Sequence, residues 1–143
     1  KARPGRDLAV EKRIMVRRGG KWVDATGTTI EVGERVRTDL EIKAGRDMEY
    51  VTVTDERASG MEPTDQLPGY VFDGGTAFYR ENLDASTRLF ISRLPKGTYH
   101  LSYEQTAVTA GVMACGICTV QSQLAPELNA RSGGCRLRVD FAE

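Results

Sequence analysis

The stretch "VRTDLEIK" sets Val36, Thr38, Leu40 and Ile42 against Arg37, Asp39, Glu41 and Lys43, an alternation of period two. Successive side chains of a strand point to opposite faces, so this segment reads as a half-buried β-strand. The same pattern predicts strands over 10–17, 49–54, 77–81, 88–92, 98–108, 112–121 and 135–141. Turn signals separate them: "RRGGKW", "EVGE", "KAGRD", "FDGG", "LPKG", "TAG" and "RSGG". About eight strands with glycine-rich turns and no helical period imply an all-β fold, an antiparallel sandwich. Val36, Leu40, Ile42, Leu101, Tyr103, Leu137 and Val139 are the expected core, and Cys135 and Phe141 share the parity of the last pair. Burying each large side chain stabilises by about 1.5–3 kcal/mol, which opposes a one-residue slip that exposes the whole set.

The segment "ERASGMEPTDQLPG" breaks the pattern, and its Pro63, Pro68, Gly60 and Gly69 predict a long surface loop. Asp55, Glu56, Glu62 and Asp65 fall in or near it without a calcium-loop spacing, so solvated carboxylates are expected. The length of 143 residues suits a single domain over 1–143. Twenty basic residues balance twenty acidic ones, so nothing in the charge points to nucleic acid or an anionic membrane. Lys12, Arg13, Arg17, Arg18 and Lys21 form a modest basic cluster, expected to be a solvated strand face. No apolar run nears the ~18 residues of a membrane span. The start at Lys1, without Met or a hydrophobic leader, suggests a mature product or an excised domain.

All three cysteines fall in "VMACGICTVQSQLAPELNARSGGC". A redox Cys-x-x-Cys works at a helix N-terminus, but the residues around Cys115 and Cys118 are strand formers. On one strand the two Cα atoms stand roughly 10 Å apart, beyond the limit of about 7 Å for a disulfide. Buried or half-buried free thiols are the main expectation, with a Cys118–Cys135 bridge as the alternative and a zinc site a remote third. An odd cysteine count argues against a disulfide framework and leaves the compartment open. His100 falls on the polar face of its strand, away from Cys135. Neither a nucleophile elbow nor a phosphate loop is present, so no enzymatic activity and no cofactor are expected. Tyr70, Phe72 and Tyr79 flank the turn "FDGG", where an aromatic hairpin is a candidate sugar or partner site. Core filling by alternate members, Phe78 among them, is the plainer reading.

Three stretches, "RDMEYVTVTDERASGMEP", "LPKGTYHLSYEQTAVTAG" and "ACGICTVQSQLAPELNARSGGCRLRV", together resemble the last macroglobulin-like domain of bacterial alpha-2-macroglobulins. The shared features are a Tyr-Val-x-Val-x-Asp strand entering a Gly-x-Glu-Pro loop, a Leu-Pro-x-Gly-Thr turn before a long strand, and a Pro-Glu element before the final strand. The likeness covers residues 10–141. It implies an immunoglobulin/macroglobulin-like sandwich at the C-terminal end of a much longer periplasmic, envelope-associated protease inhibitor. The implied role is binding: partners are the other domains of the parent chain and, through the whole protein, target proteases. In some members a thioester in another domain captures the protease, and the last domain shields it. Thioester-bearing members place a tyrosine two residues before Pro-Glu, where this chain has Leu124, so the resemblance implies a branch without that lock. Leu124, Pro126, Glu127 and Leu128 are the implied interdomain contacts. The thioester spacing is Cys-x-x-Gln; "SYEQ", Ser102 to Gln105, lacks the sulfur. The rival function is an adhesive or carbohydrate-binding immunoglobulin-like module using Tyr70, Phe72 and Tyr79.

Overall fold

The computed structural model describes residues 7–64, 69–73 and 76–142, with the side chains of 69–73, 76 and 77 outside the described set. Its elements are β-strands: β1 Leu8–Arg18, β2 Lys21–Asp24, β3 Thr29–Glu31, β4 Arg35–Ala44, β5 Met48–Glu56, β6 Met61–Pro63 and β7 Gly69–Asp73, then β8 Thr76–Asn82, β9 Ser86–Leu94, β10 Gly97–Ala107, β11 Gly111–Ala114, β12 Cys118–Ser122, β13 Asn129–Arg131 and β14 Arg136–Asp140. Each segment read from the alternation forms strand, the one over 112–121 in two pieces, and short strands at β2, β3, β6, β7 and β13 join them. Those pieces are brief or interrupted by turn residues, so they carry little periodic signal. β6 lies inside the segment expected to be irregular and pairs with β10 from Met61 opposite Ala107 to Pro63 opposite Gln105.

Among the described residues, one sheet has the order β2-β1-β4-β10-β6 and a second β13-β12-β5-β9-β8-β7, both antiparallel, while a small sheet β11-β14-β3 contains the parallel pair β14/β3. The β1/β2 hairpin closes through Gly19 and Gly20, both with positive φ (59° and 75°), as a two-residue turn of the right twist requires. The two large sheets enclose an apolar cluster built on Leu8, Val10, Leu40, Ile42, Val53, Ile91, Leu101 and Val120. A second cluster, with Ile14, Val16, Ile30, Val36, Leu137 and Val139, fills the end covered by the small sheet. All seven expected core residues are buried. Phe141 is not core: it stands beyond the end of β14 and is 78% exposed.

The expected single strand over 112–121 is two strands in different sheets. β11 pairs with β14, and β12 pairs with β5 and β13. The chain crosses between the sheets at Cys115–Gly116–Ile117, where Gly116 has φ +83° and a Cβ would meet Glu56 O at 2.0 Å. Only glycine fits a backbone crossing that close. The break also revises the cysteine pairing. Register Ala114 opposite Arg136 extends one step to Cys115 and Cys135, which form a disulfide with Cα atoms 5.4 Å apart. Cys118 is left as a buried free thiol. Of the sequence alternatives, the free-thiol reading holds for Cys118 alone, and neither Cys118 nor a metal pairs with Cys135.

Candidate interaction surface

The loop between β12 and β13 carries Leu124, Pro126, Glu127 and Leu128. It is tied down by its own backbone: Leu128 N–H donates to Ala125 O at 2.8 Å and Ser122 N–H to Leu128 O at 3.0 Å. Asn129 Nδ2 donates to Pro126 O at 3.0 Å. At its start, Gln123 N–H donates to Tyr50 O and Gln123 Nε2 to Thr52 Oγ1, both at 2.9 Å, fastening the loop to β5. The four residues split by role. Leu128 packs on the main apolar cluster, whereas Leu124 is 68% exposed and Pro126 and Glu127 face solvent. Beside Leu124 opens a groove of about 380 Å³ lined by Arg46, Met48, Arg93, Pro95, Ala125 and Leu128.

Sequence reasoning missed Tyr50. It is 56% exposed and holds φ +55°, the one non-glycine with positive φ among the described residues. Bulky residues rarely adopt this left-handed conformation, and it persists only where surrounding contacts impose it. Here the inward parity of β5 jumps from Met48 to Val51, and that of β9 jumps from Ile91 to Leu94 alongside. Both strands slip phase together, so their register survives.

On the outer face of the larger sheet, register places Gln121, Thr52, Phe90, Tyr79 and Tyr70 in one cross-strand row. The Tyr79 and Phe90 rings lie 6.4 Å apart. Phe90 is an exposed aromatic that the turn-centred reading did not include. Phe78 is buried, as the core-filling reading expects. Tyr70 and Phe72 lie on β7 opposite Tyr79 and Ala77, and their side chains are outside the described residues, as is Asp65.

The interior holds a polar layer between the two apolar clusters. Along the inner face of β1, Lys12 stands between Val10 and Ile14, and its side chain is 1% exposed, so the basic cluster is not a uniformly solvated face. Its Nζ lies 2.7 Å from Asp55 Oδ1, also 1% exposed, and donates to Glu56 O at 2.8 Å and Cys115 O at 2.9 Å. Asp55 is therefore an interior residue and not a loop carboxylate. Tyr103 O–H donates to Asp55 Oδ2, and Gln105 Nε2 to Thr38 Oγ1 at 2.8 Å. Burial pushes the Asp55 carboxyl up from its usual range despite the Lys12 neighbour, and burial beside that carboxyl pushes the Tyr103 hydroxyl well up. Burial likewise raises the Cys118 thiol, leaving little thiolate to act as a nucleophile.

Cys118 to Gln121, "CTVQ", has the thioester spacing that the motif reading overlooked. On β12 the two residues fall on opposite faces, Cys118 in the core and Gln121 on the outer row. Strand positions i and i+3 are roughly 10 Å apart, so sulfur and amide carbon do not meet and no thioester joins them. His100 is exposed and its Nε2 lies 2.8 Å from Glu41 Oε2, an interaction that holds the Glu41 carboxyl below its ordinary range. Among the described residues, no three His, Cys, Asp or Glu side chains gather to hold a metal ion, and no helix is long and apolar enough to cross a membrane.

The fold is similar to that of solved bacterial proteins. Salmonella alpha-2-macroglobulin reacted with methylamine superposes with a TM-score of 0.73 at 21% identity, over 92% of this chain and 9% of that one. Trypsin-activated alpha-2-macroglobulin from Escherichia coli gives 0.73 at 18% identity, over 92% and 10%. The chain thus spans about a tenth of the length of these proteins. A non-cellulosomal cohesin from Archaeoglobus fulgidus shares the fold more loosely, with a TM-score of 0.53 at 9% identity over 91% of each chain. No curated protein sequence matches significantly. The family model described as the bacterial alpha-2-macroglobulin MG10 domain matches residues 8–127, and the chain belongs to that family.

Proposed function

We propose that residues 1–143 form one domain from the C-terminal end of a bacterial protease trap, a non-catalytic interaction module that docks on neighbouring domains of its own chain. The observation that carries this reading is Leu124, a leucine mostly in water on a loop held rigidly to β5 and to itself. An exposed apolar side chain on an ordered loop, beside a groove of mixed apolar and charged lining, suits burial by a partner surface. Target proteases meet the module through the full-length protein. The buried Cys118, with its raised pKa, fits a domain without a nucleophile of its own. Placement in the periplasm or cell envelope is supported by the Cys115–Cys135 disulfide, a bond that persists in oxidising compartments.

In the full-length protein, Leu124→Asp is expected to leave this module folded and to weaken its docking, seen as altered protease susceptibility. An unchanged digestion pattern counts against the reading. The Tyr79–Phe90 pair supports a second reading, a carbohydrate-binding or adhesive module. Sandwiches host both roles, so fold does not choose between them. Glycan-array binding that is lost in Tyr79→Ala would favour the second reading, and the docking reading expects no such binding.

A further inference from the structure

We infer that Lys12 and Asp55 condense to an intramolecular amide, a covalent tie from β1 to β5 across the two large sheets. This is independent of the docking role. The two side chains come from different sheets, are each 1% exposed, and bring Nζ to 2.7 Å from Oδ1. Apart from that contact with Nζ, Oδ1 meets no other polar partner. Both hydrogen bonds donated by Nζ go instead to main-chain carbonyls, Glu56 O and Cys115 O. These two bonds hold Nζ in place against the carboxyl. Transfer of a proton from ammonium to carboxylate removes two charges from an interior that penalises both. The upward displacement of the Asp55 carboxyl by burial acts in the same direction.

The chemistry closes without an oxidant or co-reactant. The Nζ lone pair attacks Asp55 Cγ while the Tyr103 hydroxyl, donating to Oδ2, polarises the carbonyl. Negative charge gathering on Oδ2 strengthens that bond. One Nζ proton passes to Oδ1, which already carries the acid proton, and the Cγ–Oδ1 bond breaks. One C–N bond forms, one C–O bond breaks, and one water leaves. The product keeps one N–H for a main-chain carbonyl and its Oδ2 for Tyr103. Holding both groups in contact replaces an encounter between free reactants, with effective concentrations of order 10⁵ M or more in well-oriented cases. Exclusion of water from the layer then protects the amide from hydrolysis.

The experiment is mass spectrometry of the full-length protein purified in its folded state, then reduced, denatured and digested with trypsin. The expected result is a joined pair of peptides from β1 and β5, lighter by one water than their sum, with fragment ions placing the bond at Lys12 and Asp55. Lys12→Met is expected to abolish the joined species, and Tyr103→Phe to lower its fraction severalfold. Recovery of separate peptides with a free Lys12 ε-amine from folded wild-type protein overturns the inference, leaving a non-covalent pair. A water-deficient mass located at any other residue, or persisting in Lys12→Met, overturns it equally.

Discussion

Lys12 and Leu124 occupy each other's expected places. A lysine is 1% exposed between two apolar clusters, and a leucine is 68% exposed on the surface. The exchange separates two demands on the same fold. The interior site is complete within the chain, since Asp55, Glu56 O and Cys115 O surround the amine. The exterior side chain has no such enclosure and stands open to water. A polar residue buried with its partners is the informative departure, whereas a single exposed leucine is common on protein surfaces and takes its meaning here from the docking proposed for its loop.

The largest expected effect comes from halving the interior site. Asp55→Ala leaves Lys12 without its carboxyl and is expected to cost about 3–5 kcal/mol in urea unfolding. The double change Lys12→Met with Asp55→Leu should recover the part of that loss that comes from leaving a buried amine unpaired, but not the part that comes from losing the covalent tie. A double variant no more stable than Asp55→Ala would show that the layer contributes more than internal pairing. Next, Cys115→Ser with Cys135→Ser opens a closed loop of sequence separation 20 and is expected to lower stability by about 3 kcal/mol. Calorimetry with and without reductant checks this, and reductant should leave the double variant's transition unmoved.

The exterior loop supplies a sharper test. Leu128→Ala, on the side chain that packs on the core, should cost about 1–2 kcal/mol, below the range for a fully buried leucine. Leu124→Ala should stay within about 0.5 kcal/mol while weakening docking in the full-length protein. Equal stability losses at both positions would erase the division between anchor and contact. The smallest effect concerns surface pairing. Arg18 holds the Glu34 carboxyl below its usual range, mainly through their hydrogen bond. A depressed carboxylate gives stability that is present above its unfolded pKa and lost as pH falls through the folded one. Arg18→Gln should therefore remove less than about 1 kcal/mol at neutral pH and flatten the acid limb of a stability–pH curve.

The strands were legible because period-two burial writes itself into composition, and Val36 through Ile42 follow it without exception. The same parity also put Lys12 inside, in line with Val10, Ile14 and Val16. Charge counted residue by residue hid this, because the partner lies 43 positions away on another sheet. The disulfide was hidden by a different fact. Its geometry follows from the register of β11 with β14, which depends on recognising that Gly116 ends one strand before β12 begins. For the surface, the resemblance pointed to the loop between β12 and β13, and the structure separates its leucines, Leu124 exposed and Leu128 packed on the core. Tyr50 gave no signal, since its backbone conformation is imposed by two strands changing phase together.

The Cys115–Cys135 bridge sits immediately before β14, and this has a mechanical consequence. A pull on the chain from beyond Asp140 peels β14 away from β3 and β11, then meets the bridge at Cys135. From there tension passes through sulfur to Cys115 and bypasses residues 116–134, which include β12, β13 and the Leu124 loop. The Leu124 loop is therefore shielded from tension applied to the chain beside it.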